Sequence, residues 1–76
     1  MIKILFFARL REIVGEVITI DYSQCTVQEL IQHVEQLHPS ISLMETMVAI
    51  NEELASNLDI VKSGDVVAFI PPVSGG

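Results

Sequence analysis

The chain opens on an alternating pattern. In IKILFFA, a period of two puts Ile2, Ile4, Phe6 and Ala8 on one side and Lys3, Leu5, Phe7 and Arg9 on the other. Both sides carry large apolar groups, which predicts a central strand over residues 2–8, with Leu5 and Phe7 on a face that is not wholly wet. LREIVGE breaks the alternation and predicts a bend, with one helical turn over 10–14 stopped by Gly15. Alternation returns in EVITID, a second strand over 16–21 with Ile18 and Ile20 inward. The short connection makes these two strands an antiparallel pair.

The period then changes to that of a helix. In TVQELIQHVEQLHP, Thr26 and Glu29 have the spacing of a capping box, in which each side chain satisfies an orphan amide at the helix start. Val27, Leu30, Ile31, Val34 and Leu37 form one apolar stripe, while Gln28, Gln32, Glu35 and Gln36 fall on the wet side. Pro39 ends the helix, because the residue before a proline avoids helical angles. Residues 41–45 read as an irregular connection. MVAIN (47–51) reads as a third strand and Asn51-Glu52-Glu53 as its turn, with a short fourth strand from Leu54 and Ala55. Leu58, Ile60 and Val61 anchor a loop carrying the turn signal Lys62-Ser63-Gly64-Asp65. DVVAFI (65–70) is the last strand, halted by Pro71.

The order β, β, α, β, short β, β brings the last strand back beside the first. One helix covers only one face of such a sheet and leaves the other open. The expected fold is therefore α+β, a β-grasp (ubiquitin-like) mixed sheet with one main helix on one face. Its domain spans 1–72 and a flexible Gly-Gly tail spans 73–76. No internal repeat or low-complexity segment interrupts it.

Composition narrows the class of function. Half of the 76 residues are hydrophobic, enough for a dense small core and against disorder. No apolar run approaches the ~20 residues that span a bilayer, and the start lacks the form of a signal peptide, so no membrane association is expected. A single cysteine, Cys25, forms no internal disulfide, and no Cys/His spacing suits zinc. A small domain without these staples points to a reducing, cytoplasmic setting. The net charge of −6, with only four Lys and Arg residues, disfavours nucleic acid and suits a protein partner with a basic surface.

The ending FIPPVSGG remains. On its residues alone it is either a frayed end or a carboxylate held out for use. IKILFFARLREIVG, VAINEELA and SGDVVAFIPPVSGG, in that order and spanning almost the whole chain, resemble the small subunit of molybdopterin synthase. The resemblance implies a sulfur carrier of molybdenum cofactor synthesis. An ATP-dependent activating enzyme adenylates the carboxylate of Gly76, and a sulfur donor system converts it to a thiocarboxylate. The tail then enters the active site of the synthase large subunit, where the sulfur passes to cyclic pyranopterin monophosphate. The family assembles as a heterotetramer of two small and two large subunits. No cofactor is held; the adenylate and thiocarboxylate are covalent intermediates, and the chain is not catalytic alone.

The residues suit such a carrier. A carboxylate is a poor electrophile, and a mixed anhydride with AMP lets a sulfur nucleophile displace AMP. Gly75 and Gly76, without side chains, can thread a narrow channel, and residues 73–76 reach about 13–14 Å when extended. Pro71 and Pro72 stop strand pairing and stiffen the exit, so that Val73, Ser74, Gly75 and Gly76 project. Parity and the resemblance together place Phe7, Leu54 and Ile70 on the docking face. Arg9 and Arg11 follow the first strand, where a cation can meet a partner's carboxylate or simply face solvent.

Other readings compete. Carriers for thiamine synthesis or transfer RNA thiolation share the fold and the Gly-Gly ending, as does a ubiquitin-like modifier forming isopeptide bonds, and a plain binding module would leave the tail idle. Cys25, just before the helix cap, would have a lowered pKa if the helix start faced it, but it reads better as a buried or incidental thiol. His33 and His38 read as surface residues, and Glu52-Glu53 as a solvated turn.

Overall fold

The computed structural model describes residues 1–72. Val73, Ser74, Gly75 and Gly76, and with them the expected tail, lie outside the described residues. The elements run in the order β1 (Ile2–Phe6), α1 (Ala8–Val14), β2 (Val17–Ile20), β3 (Gln24–Thr26), α2 (Val27–Leu37), β4 (Met47–Ile50), β5 (Glu53–Ala55), β6 (Ile60–Lys62) and β7 (Val66–Ile70). Five strands form the main sheet in the order β2-β1-β7-β4-β5. Its pairings are antiparallel except for β1 with β7, which run parallel at the centre. This is the β-grasp arrangement.

α2 covers one face. Its capping box forms as the spacing predicts: Glu29 N–H donates to Thr26 Oγ1 at 3.1 Å, and Thr26 N–H donates to Glu29 Oε1 at 2.9 Å. The remaining first-turn amides are met by the segment before β6, Val27 N–H donating to the Asp59 carbonyl and Gln28 N–H to that of Asn57. Val27, Leu30 and Val34 are fully buried against Ile2, Ile4, Phe6, Val67 and Phe69, with the Phe6 and Phe69 rings stacked 5.9 Å apart on the two central strands. At about 1.5–3 kcal/mol for each fully buried large side chain, this cluster is the main source of stability.

Several expectations change. Strand β1 ends at Phe6, two residues early, because Phe7 is extended and Ala8 turns to a left-handed φ of 52° that starts α1. α1 therefore begins two residues ahead of the expected turn, and a second short helix joins the main one. The segment around Ile60 is a strand rather than a loop: β6 pairs antiparallel with β3 as a separate two-stranded sheet, closing the buried pair Cys25 and Val61. Leu58 stands out in solvent and Ile60 is exposed, so Val61 alone of the three anchors the core. On α2, Leu37 is exposed because the helix ends at its edge, and Glu35 is not idle on the wet side. Its carboxylate accepts from the Leu43 amide at 2.8 Å and pins a connection whose Ile41 and Leu43 are both buried.

Candidate functional site

The face of the main sheet away from α2 is open, and strand register decides what lies on it. Val17 pairs with Leu5, Leu5 with Ala68, Ala68 with Ala49, and Ala49 with Leu54. One apolar row thus crosses all five strands. Beside it Met47 pairs with Ile70, and Phe7, continuing β1, joins them at the groove wall. The two alanines keep the middle of the row low while Leu5, Phe7, Leu54 and Ile70 rise around it. The result is a groove of about 610 Å³. On the far side of the row lie Thr19, Lys3 and Val66, a margin made polar by the first two and tied by the Val66 carbonyl to the amide of Asn51. The face is therefore most apolar toward the end where β7 runs into Pro71.

Phe7, Leu54 and Ile70, chosen from sequence as docking residues, come together on this groove. Phe7 is 42% exposed and Leu54 72%, large apolar surface that water does not favour. Val17 and Met47 also belong to the face, exposed to 42% and 48%. Sequence reasoning missed both, and the available signal was parity: each alternates with a residue packed under α2. What parity lacks is the register that sets them beside Leu5 and Ile70.

The structure separates the two arginines. Arg11 forms an ion pair with Glu16 at 3.4 Å, across solvent-exposed side chains. Arg9 makes no ion pair among the described residues and lines a second cleft, of about 550 Å³, together with Pro71 and Pro72. That cleft is the root of the tail. The working carboxylate expected on Gly76, and the tail positions Val73, Ser74 and Gly75, lie beyond the described residues.

The residues set aside behave as structural groups. Burial pushes the Cys25 thiol up, and the nearby Glu29 carboxylate adds to it, the opposite of activation by a helix start. His33 is half-buried, its ring 5.0 Å from that of Tyr22, so it is a packing residue rather than a surface one. Among the described residues no cluster of His, Cys, Asp and Glu is arranged to hold a metal ion, and no helix is long and apolar enough to cross a membrane.

Comparison with known proteins agrees with this fold. A molybdopterin synthase sulfur carrier subunit of Escherichia coli is 40% identical, the match covering all of both chains. The corresponding subunit of Haemophilus influenzae is 36% identical, again over the whole of both. Among solved structures, a complex of subunits 1 and 2 of molybdopterin-converting factor from Helicobacter pylori contains a similar chain, with 30% identity, a TM-score of 0.64, and coverage of 99% of this chain and 97% of that one. The ThiS family matches residues 4–76, more than nine-tenths of the sequence, and the chain belongs to the ThiS family.

Proposed function

We propose that the chain is the sulfur carrier subunit of a molybdopterin synthase, working through the carboxylate of Gly76. The observation that carries this reading is the continuity of the apolar sheet face with the tail root: Ile70 ends the groove wall and Pro71 follows it directly. Docking through Phe7, Leu54 and Ile70 sets Pro71 and Pro72 at the mouth of a partner's active site and commits residues 73–76 to its interior. Full-length likeness to sulfur carrier subunits, and the two-subunit complex of the Helicobacter pylori relative, support it.

The chemistry runs in two stages. In the activating enzyme, the Gly76 carboxylate attacks the α-phosphorus of ATP and releases pyrophosphate, giving an acyl adenylate. Sulfide-level sulfur delivered by the donor system then attacks the acyl carbon, AMP leaves with the bonding electron pair, and the product is a thiocarboxylate on Gly76. In the synthase large subunit, the thiocarboxylate sulfur bonds to a carbon of cyclic pyranopterin monophosphate. Water then hydrolyses the acyl–sulfur bond, so that the sulfur stays on the pterin and Gly76 returns to a carboxylate. The chain supplies the carried group and the docking face; the catalytic groups belong to its partners, and it holds no cofactor of its own. A single open face serves both partners, so the activating enzyme and the large subunit bind in turn rather than together.

Intact mass spectrometry tests the first stage. Incubation with ATP, an activating enzyme and a sulfur source shifts the chain by the mass of one oxygen-for-sulfur exchange, and deletion of Gly76 removes the shift. In cells, the same deletion abolishes molybdopterin formation and leaves thiamine synthesis intact. Loss of thiamine alone would move the chain to the thiazole branch, loss of transfer RNA thiolation to that pathway, and ladders of conjugates would mark a protein modifier.

A further inference from the structure

We infer that Arg9, in the cleft at the root of the tail, pairs with an acidic side chain at the mouth of the partner's tail-binding channel and so fixes the docking register. The inference rests on the sulfur-carrier reading above and adds the chemistry of the contact.

Three observations meet at this residue. The first is place. Arg9 shares its cleft with Pro71 and Pro72, so a tail inserted to its full reach of about 13–14 Å draws this cleft against whatever surrounds the channel entrance. The second is charge. The chain carries −6 overall, and a partner suited to that field is basic. A lone cation on such a surface is repelled unless the partner sets an acid opposite it. That makes it a specificity element as much as an attractive one. The third is local cost. Arg9 occupies the first turn of α1, where the helix end disfavours a cation, no acidic residue offsets it, and Phe7 offers no capping side chain. The four Lys and Arg residues are not equivalent in this respect: Arg11 is paired to Glu16, Lys3 lies on the margin of the open face, and Lys62 is engaged by Asp65, through its amide and through the attraction of its ammonium for the same carboxylate. A rule of local stability is broken next to the tail, and although Glu45 lines the same cleft, no ion pair answers it among the described residues.

The experiment measures binding of the full chain to the large subunit at low and high salt for the wild type, Arg9→Gln, Arg9→Glu and Arg11→Gln. Charge reversal at a rim position acts mainly on association and its salt dependence, so Arg9→Glu weakens binding by about tenfold at low salt and much less at high salt. Arg9→Gln falls between, and Arg11→Gln changes less than Arg9→Gln. Thermal melting supplies a readout that a structural role would not give. Because an acid suits a helix start, Arg9→Glu melts no lower than the wild type even as docking weakens. Replacing acids one at a time by Lys around the channel mouth then identifies one that restores the Arg9→Glu variant. Unimpaired or tighter binding of Arg9→Glu, a loss independent of salt, or no restoring position overturns the inference alone. Failure of the wild type to bind the large subunit overturns the functional reading and this inference with it.

Discussion

At Asp65 one carboxylate closes two turns. Its Oδ1 accepts from the Asn51 side-chain amide at 3.0 Å, and its Oδ2 accepts from the Lys62 amide at 2.8 Å. Asn51 in turn accepts from the Val66 amide at 3.0 Å, so the β4–β5 turn is fastened to the start of β7. That turn uses two left-handed residues, Asn51 at φ 51° and Glu52 at φ 72°, a conformation that asparagine tolerates better than most. The Lys62 amide, and then the Asn51 amide, hold the Asp65 carboxyl below its ordinary value of 3.8. A carboxyl depressed on folding stabilises the native state above the unfolded pKa, and that contribution is lost as pH falls through the folded value. Asp65→Asn, which sets an amide where two donors need acceptors, therefore lowers stability by on the order of 1–2 kcal/mol at neutral pH. The gap between variant and wild type closes below the usual carboxylate range. Urea titrations from pH 7 down to pH 3 check this, and a pH-independent gap would assign the loss to packing instead. Sequence marks both stretches as turns, since Gly, Asn and Asp announce them. It does not show that one side chain serves both, because the two lie 14 residues apart.

Elements were legible in proportion to how local their causes are. α2 is fixed by chemistry within a few residues, a capping box at one end, a proline at the other and a stripe between, and it lies where those signals put it. Thr26→Ala removes the cap and costs about 1 kcal/mol, read as a lower urea midpoint, while Thr26→Ser keeps the acceptor and most of the stability. An equal loss in both would mean that the threonine acts through its pairing with Ile60 in β3 rather than through the cap. β3 and β6 are the opposite case. Each has three residues, too few to show a period, and each becomes a strand only because the other lies beside it. The early end of β1 has the same origin. Beyond Lys3, IKILFFA is apolar to its end, so nothing in its pattern announces that Ala8 leaves the strand.

For the whole molecule, the parallel pairing of β1 with β7 does two things at once. It places Phe6 against Phe69 under α2, and it aligns Leu5 with Ala68 on the opposite side, where the apolar row faces solvent. An open face was deducible from the single main helix, and Phe7, Leu54 and Ile70 from parity taken together with the family resemblance. The row itself was not, because register is a relation between strands distant in sequence. Core and open face are built from alternate residues of the same strands, so a change on the open side can be made without touching the core. Leu54 is the sharpest place to try it, at the end of the row and mostly exposed. Leu54→Asp should leave unfolding free energy within about 0.5 kcal/mol of the wild type, as exposed positions generally do. If the row is the docking surface, the same change weakens binding to the large subunit by about 2 kcal/mol, near thirtyfold. That loss persists at high salt, since it removes apolar contact rather than charge, and so differs from the effect at Arg9. Gln36→Asp, on the exposed side of α2, adds the same charge on the other side of the sheet and should leave affinity unchanged. Equal losses at Leu54 and Gln36 would reduce the effect to net charge, and an intact affinity in Leu54→Asp would move the partner off the open face.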